Sequence, residues 1–179
     1  MGKVISVFGS SQPKPGTAVY ELSKRLGRQL AEAGFTVATG GYYGTMGAVS
    51  EGAAEANGHI IGVTSGQIER QFNVVPNQWI TEEIRYVTLR ERLMHLVLQN
   101  DAMITLPGGI GTLSEMSMAW SFIQTGELPE RPFVLIGDMW PKTVKAFAHS
   151  AYVRDEYVDY LTFVDSTETA VAALEGYWA

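Results

Sequence analysis

The sequence contains no cysteine. Disulfides, thiolate metal sites and a cysteine nucleophile are therefore excluded, and the composition fits a reducing compartment. Charge is sparse as well: 18% of the 179 residues are charged and the formal net charge is -6. That balance offers no basic footprint for nucleic acid, whose phosphates call for clustered lysine and arginine. A single cleft can still be locally positive, because net charge describes the whole surface. No apolar run approaches the ~18 residues that a membrane span needs. The N-terminus also lacks a basic region followed by a long apolar segment, so no signal peptide is expected. Met1-Gly2-Lys3-Val4-Ile5-Ser6 touches the myristoylation pattern, yet these residues read as the first strand. His59, His95 and His149 have no partners at metal-ligand spacing, so no metal is expected. None of the five lysines falls at an expected strand end, which disfavours a pyridoxal Schiff base. Together these absences point to a soluble, cytoplasmic protein without nucleic-acid or membrane partners.

What is present is an alternation of short apolar runs and longer amphipathic segments. Val4-Ile5-Ser6-Val7-Phe8 reads as a strand ending at Gly9-Ser10-Ser11. A helix is expected over residues 17–33, with Leu22, Leu26 and Leu30 on one face and Gly34 as its stop. Strands are expected at 35–39, 59–63, 79–82, 102–106, 133–136 and 161–164. Further helices are expected at 45–56, 87–99, 112–124, 141–150 and 167–174, and residues 64–77 read as a polar loop. Continuous apolar strands separated by helices imply parallel βαβ units with both sheet faces covered. The expected fold is therefore α/β: one Rossmann-like, doubly wound parallel sheet formed by residues 1–179 as a single domain. Ligands of such folds sit beyond the carboxyl ends of the strands. Three of those ends carry small or glycine-rich turns, at residues 9–11, 40–44 and 107–111.

Gly108-Gly109-Ile110-Gly111-Thr112 opens a helix, so its backbone can approach a ligand and its free N–H groups favour an anion. Alternatively, the glycines simply make a tight turn. The second glycine turn, at residues 40–47, shifts the balance toward a phosphate. Neither turn matches the Walker pattern, and no GxGxxG with a following acidic residue supports a dinucleotide. Thr112-Leu113-Ser114-Glu115 has the form of a capping box, and local sequence favours that role for Glu115. The alternative is a cleft-facing carboxylate, kept ionised by the helix N-terminus. Arg92 borders the stripe of Leu89, Leu93, Leu96 and Val97, either as a snorkelling residue or as an anion clamp. His95 reads as a satisfied helix histidine. Met116, Met118 and Trp120 form an apolar surface that could meet a partner subunit.

Pro107-Gly108-Gly109-Ile110-Gly111-Thr112-Leu113-Ser114-Glu115 also matches the PGGxGTxxE motif of the LOG family, the cytokinin riboside 5′-monophosphate phosphoribohydrolases. Val7-Phe8-Gly9-Ser10-Ser11, Gly44-Thr45-Met46-Gly47 and His59-Ile60-Ile61-Gly62-Val63 extend the resemblance over roughly the first two-thirds of the chain. The resemblance implies a homodimer that hydrolyses the N-glycosidic bond of a nucleoside 5′-monophosphate, releasing free base and ribose 5-phosphate without a cofactor. It implies Arg92 and Glu115 as the catalytic pair. It also implies substrate and phosphate contacts from Ser10, Gly41, Gly44, Thr45, Gly108, Gly109, Gly111 and Thr112. Three departures stand out: Leu89-Arg90 replaces Met-His, Leu93 replaces a lysine, and Tyr42 replaces the third glycine of a GGG turn. A non-catalytic nucleotide or molybdenum-cofactor carrier of the same fold is the alternative reading.

Overall fold

The computed structural model describes residues 2–149 and 151–179. Seven strands form one parallel sheet: β1 (Val4–Phe8), β2 (Thr36–Thr39), β3 (Ile60–Ser65), β4 (Glu82–Tyr86), β5 (Ala102–Thr105), β6 (Phe133–Ile136) and β7 (Thr162–Val164). Their order across the sheet is β4-β3-β2-β1-β5-β6-β7. The chain winds outward from β1 to one edge, then returns to β5 and winds to the other. The switch point therefore lies between β1 and β5, whose register pairs Phe8 with Thr105. Both strands end there on the turns that carry Ser10 and Pro107, where open α/β sheets place their ligands.

The helices are α1 (Ala18–Glu32), α2 (Thr45–Glu55), α3 (Gly66–Phe72), α4 (Leu89–Leu98), α5 (Ile110–Thr125), α6 (Met139–Phe147), α7 (Asp155–Val158) and α8 (Thr167–Trp178). On one face of the sheet Ile5, Val7, Val37 and Ile104 pack with Leu26, Leu30, Val49 and Leu174 from α1, α2 and α8. On the other, Phe8, Val63 and Met103 pack with Leu96, Met116, Trp120 and Trp140 from α4, α5 and α6. Thr17 caps α1 by accepting the Tyr20 N–H, and Gly34, at φ +82°, ends its turn in a conformation open to glycine.

Several boundaries differ from the sequence reading. Residues 64–77 are not a loop throughout: β3 runs to Ser65, whose side chain caps α3 by accepting the Ile68 N–H. Strand β4 lies later than residues 79–82, at Glu82–Tyr86. Its exposed, charged Glu-Glu-Ile-Arg-Tyr sequence lacks an apolar run because it forms the sheet edge. Helix α5 begins at Ile110 rather than Thr112, and α6 spans Met139–Phe147. The expected end of that helix at Ser150 lies outside the described residues. The final helix runs on to Trp178.

Glycines bring α1 and α2 together. A Cβ at Gly27 would fall on the Val49 carbonyl, and one at Gly52 on the Lys24 carbonyl. This close approach sets where α2 begins and so fixes its N-terminal turn beside Ser10. Substituting Gly52→Ala should force the helices apart and destabilise the protein by about 1–3 kcal/mol, despite alanine's better helix propensity. Urea unfolding would measure the loss; an unchanged midpoint would show that the two helices can separate freely.

Candidate active site

At the carboxyl edge of the sheet, α4 turns Arg92 inward. Its residue is only 5% exposed, so it does not snorkel. Nε donates to the Val63 carbonyl at 2.8 Å, and Nη2 donates to the Gly40 carbonyl at 3.1 Å. The Met46 sulfur lies 3.7 Å from Nη2, and the Tyr42 ring centroid is 5.7 Å from Cζ. A Cβ at position 40 would collide with Nη2, so the guanidinium needs a glycine there. Burial weakens the proton's hold on Arg92, and the neighbouring Glu115 restores part of it.

Helix α5 places Glu115 opposite, with Oε1 3.8 Å from Arg92 Nη1. Because α5 starts at Ile110 on the N-cap Gly109, Thr112 lies inside the helix and Glu115 lies in its second turn. The expected capping box is therefore absent. The same T-x-x-E pattern occurs at Thr88 and Glu91, and there it does cap: Glu91 Oε2 accepts the Thr88 N–H at 2.9 Å, while Thr88 Oγ1 accepts the Glu91 N–H at 3.3 Å. Glu115 is 9% exposed, and burial pushes its carboxyl up to about 7, with Arg92 opposing the rise. This corrects the expectation of a carboxylate held ionised by a helix end. Beyond the first turn the dipole is weak, and desolvation dominates.

The predicted phosphate residues fall into two groups. Gly109, Ile110 and Gly111 are exposed at the start of α5, where no side chain caps the helix. Its first N–H groups are left for a ligand. Gly108 lies against Thr112, where a Cβ would strike the threonine side chain. A cavity of about 450 Å³ reaches Ser10, Gln12, Pro107 and Gly108, so the β1 and β5 turns border a common space. Arg92 and Glu115 do not line it.

The second glycine turn is structural in its contacts. Thr45 donates both its N–H, at 2.8 Å, and its Oγ1, at 3.0 Å, to the Ser10 carbonyl. Thr45 is also buried, and both of its donors are directed to that carbonyl. Gly41 (φ +79°) donates its N–H to Thr39 Oγ1, and Gly44 (φ +67°) packs against Ser10 and Ser11. The turn thus holds the β1 turn in place, and Gly44 lines a second cavity, of about 610 Å³, with Ser11, Tyr43, Asn77 and Trp79.

The aromatic and histidine expectations also sort themselves. His95 Nδ1 lies 2.9 Å from the Tyr86 hydroxyl, a satisfied helix histidine. Met116 and Trp120 belong to this chain's own core rather than to an open face, while Met118 is half-buried. Among the described residues no group of three His, Asp or Glu could hold a metal ion. No helix among them is long and apolar enough to cross a membrane. Sequence reasoning missed Gly40 and Tyr42 as partners of Arg92. It also missed Asn77, which fixes their turn through its N–H to the Gly41 carbonyl, at 2.8 Å, and its Nδ2 to the Tyr42 carbonyl, at 3.0 Å.

A doubly wound parallel sheet with a buried arginine–glutamate pair beside an uncapped, glycine-rich helix start defines a Rossmann-like α/β protein. Residues 46–174 match the model of the family described as possible lysine decarboxylase, and the chain belongs to that family, as its LOG-like motif implies. A rice (Oryza sativa subsp. japonica) protein named a probable cytokinin riboside 5′-monophosphate phosphoribohydrolase is 35% identical over 117 residues, covering 63% of this chain and 45% of the rice protein. The chain thus spans about half the length of that relative. A Mycobacterium tuberculosis protein named cytokinin riboside 5′-monophosphate phosphoribohydrolase is 27% identical over 176 residues, covering 94% of this chain and 91% of that one. The fold also matches a molybdenum cofactor binding protein from Rippkaea orientalis at a TM-score of 0.78 and 22% identity, covering 100% of this chain and 99% of the other.

The raised Glu115 carboxyl sets a pH dependence of stability. Below pH about 4.5, its ordinary value, the group is protonated in folded and unfolded chains alike. Between there and about 7 the unfolded chain releases the proton while the folded one keeps it, so folding weakens as pH rises. Replacing Glu115→Gln removes that linkage. The variant's melting temperature, relative to wild type, should climb between pH 4.5 and 7 and level off above. A difference independent of pH would show that Glu115 titrates at its ordinary value.

Proposed function

We propose that the protein hydrolyses the N-glycosidic bond of nucleoside 5′-monophosphates, of cytokinin riboside or AMP type, with Arg92 and Glu115 as the catalytic pair. One observation carries the reading: a buried carboxyl with no hydrogen-bond partner among the described residues faces a backbone-clamped guanidinium at 3.8 Å, close to an uncapped helix start. Membership of the family and the names of its relatives support the same chemistry.

In this reading the 5′-phosphate rests on the N–H groups of residues 109–112, with Ser10 at its side. Fixing the phosphate converts remote binding energy into placement of the ribose. Cleavage builds positive charge at C1′, and the Glu115 carboxylate stabilises it and orients the attacking water. The water oxygen bonds to C1′ as the C1′–N bond breaks. One proton stays on the new hydroxyl, and the other passes through Glu115 to the departing base. Arg92 directs its Nη1 edge to the ribose and holds Glu115 in line. No cofactor takes part.

A homodimer completes the reading. Leu89 and Ile110, the first residues of α4 and α5, are 45% and 80% exposed, and a second copy of the chain would cover them. The pH-independent test is size: sedimentation should give twice the chain mass, and Ile110→Asp should yield monomers. A monomeric wild type would remove the dimer.

The catalytic proposal is tested by incubating the protein with AMP, other monophosphates and N6-isopentenyladenosine monophosphate, and measuring free base and ribose 5-phosphate. Glu115→Gln and Arg92→Lys should each lower turnover by roughly 10²-fold or more, since lysine has no fork to span both carbonyls. Tight binding of a nucleotide or pterin phosphate without turnover would instead identify a carrier.

A further inference from the structure

Tyr42 stands where the resemblance calls for glycine, in a turn whose next residue, Tyr43, is 49% exposed. Tyr42 itself is only 3% exposed. Its hydroxyl accepts the Ser65 N–H at 2.8 Å and donates to the Ser65 carbonyl at 3.1 Å, closing the carboxyl end of β3. Glu69 Oε1, at 3.4 Å, is a second and longer acceptor. Two residues back along the same strand, the Val63 carbonyl receives Arg92 Nε. The Asn77 hydrogen bonds lock the backbone on either side of Tyr42.

The two carbonyls fix Nε and Nη2 of Arg92 but leave the tilt of the guanidinium plane open. The Tyr42 ring, 5.7 Å from Cζ, fills the space beside that plane, supplies a cation–π contact and keeps water from it. Excluding water also strengthens the arginine's field at Glu115. Burial keeps Tyr42 a neutral phenol, so it adds no competing charge.

We propose that Tyr42 is a positioning residue: braced on Ser65, its ring holds the Arg92 guanidinium with Nη1 turned toward Glu115. The inference rests on the reading of Arg92 and Glu115 as the catalytic pair. A bulky residue here is a brace for the arginine, and the ligand side of the turn keeps its glycines.

The experiment is a double-mutant cycle with two readouts. The first needs no substrate. Glu115 is titrated by carbon-13 NMR of its carboxyl, assigned by its disappearance in Glu115→Gln. Tyr42→Leu should raise the Glu115 midpoint by roughly half a pH unit or more, because Arg92 then supports the carboxylate less well. The same substitution on an Arg92→Met background should leave the midpoint in place. No shift, or an equal shift on both backgrounds, overturns the positioning role. Where Tyr42→Leu fails to fold, Tyr42→Phe keeps the ring volume and drops only the brace on Ser65. It is then judged by the same comparison.

The second readout is turnover. Tyr42→Phe should lower kcat by roughly tenfold with KM changed by no more than about twofold, and Tyr42→Leu should lower it further. On an Arg92→Lys background neither should add a loss, whereas a purely structural role would add the same loss on both. If the wild type cleaves no monophosphate, the catalytic reading fails while the titration still judges Tyr42. If it cleaves one and the Tyr42 variants match it, only the positioning role fails.

Discussion

The site is organised around a charge that the fold must keep out of water. A buried guanidinium is tolerated only when its donors find partners, and Arg92 finds them in the Val63 and Gly40 carbonyls. That requirement reaches into several elements at once. Strand β3 must run past the end of β2, which pairs Thr39 with Gly62, so that the Val63 carbonyl lies near that of Gly40, and position 40 must lack a Cβ. What the backbone does not satisfy is the Nη1 edge, which looks across 3.8 Å at a carboxyl with no hydrogen bond among the described residues. A pair built for stability would close that gap. Left open between two buried groups, the gap leaves both with hydrogen-bonding capacity that a close ion pair would have used.

The two glycine turns, alike in sequence, divide their work because their N–H groups meet different fates. At α2 the first N–H and the Thr45 hydroxyl both turn to the Ser10 carbonyl, so this helix start is tied to the β1 turn, although no side chain caps it. At α5 no side chain or neighbouring carbonyl takes the corresponding groups, and Gly109 and Gly111 stay exposed. The close packing of α1 on α2 through Gly27 and Gly52 makes this asymmetry rigid: α2 cannot withdraw from Ser10 without separating from α1. One turn is tied to the β1 turn, and the other stays exposed.

Much of this was legible in the sequence. Apolar runs such as Phe133–Ile136 located the central strands because a sheet covered on both faces needs apolar residues throughout. The edge strand β4 escaped, since its Glu-Glu-Ile-Arg-Tyr has no such need. The PGGxGTxxE run pointed to Glu115, but the choice between cap and cleft turned on whether the helix began at Ile110 or Thr112, and the local pattern fits either. Thr88-Leu89-Arg90-Glu91, with the same spacing, is the real capping box. Arg92 could be singled out, yet its setting could not: its partners are backbone carbonyls 29 and 52 positions away, and a carbonyl carries no residue signature. Tyr42 was visible only as a misfit, because its role depends on a ring meeting a charge 50 residues further along the chain.

The departures from the family pattern follow the same geometry. Arg90 is exposed and Leu89 is 45% exposed, both at the start of α4, while Leu93 is half-buried against the core beneath that helix. None of the three touches the carbonyls that hold Arg92. Tyr42 is the departure that reaches the arginine, its ring centroid 5.7 Å from Cζ. The burial that weakens folding by holding Glu115 protonated to about 7 also leaves that carboxyl poised to exchange a proton near neutrality. Stability and reactivity at this position are therefore two readings of one desolvated group.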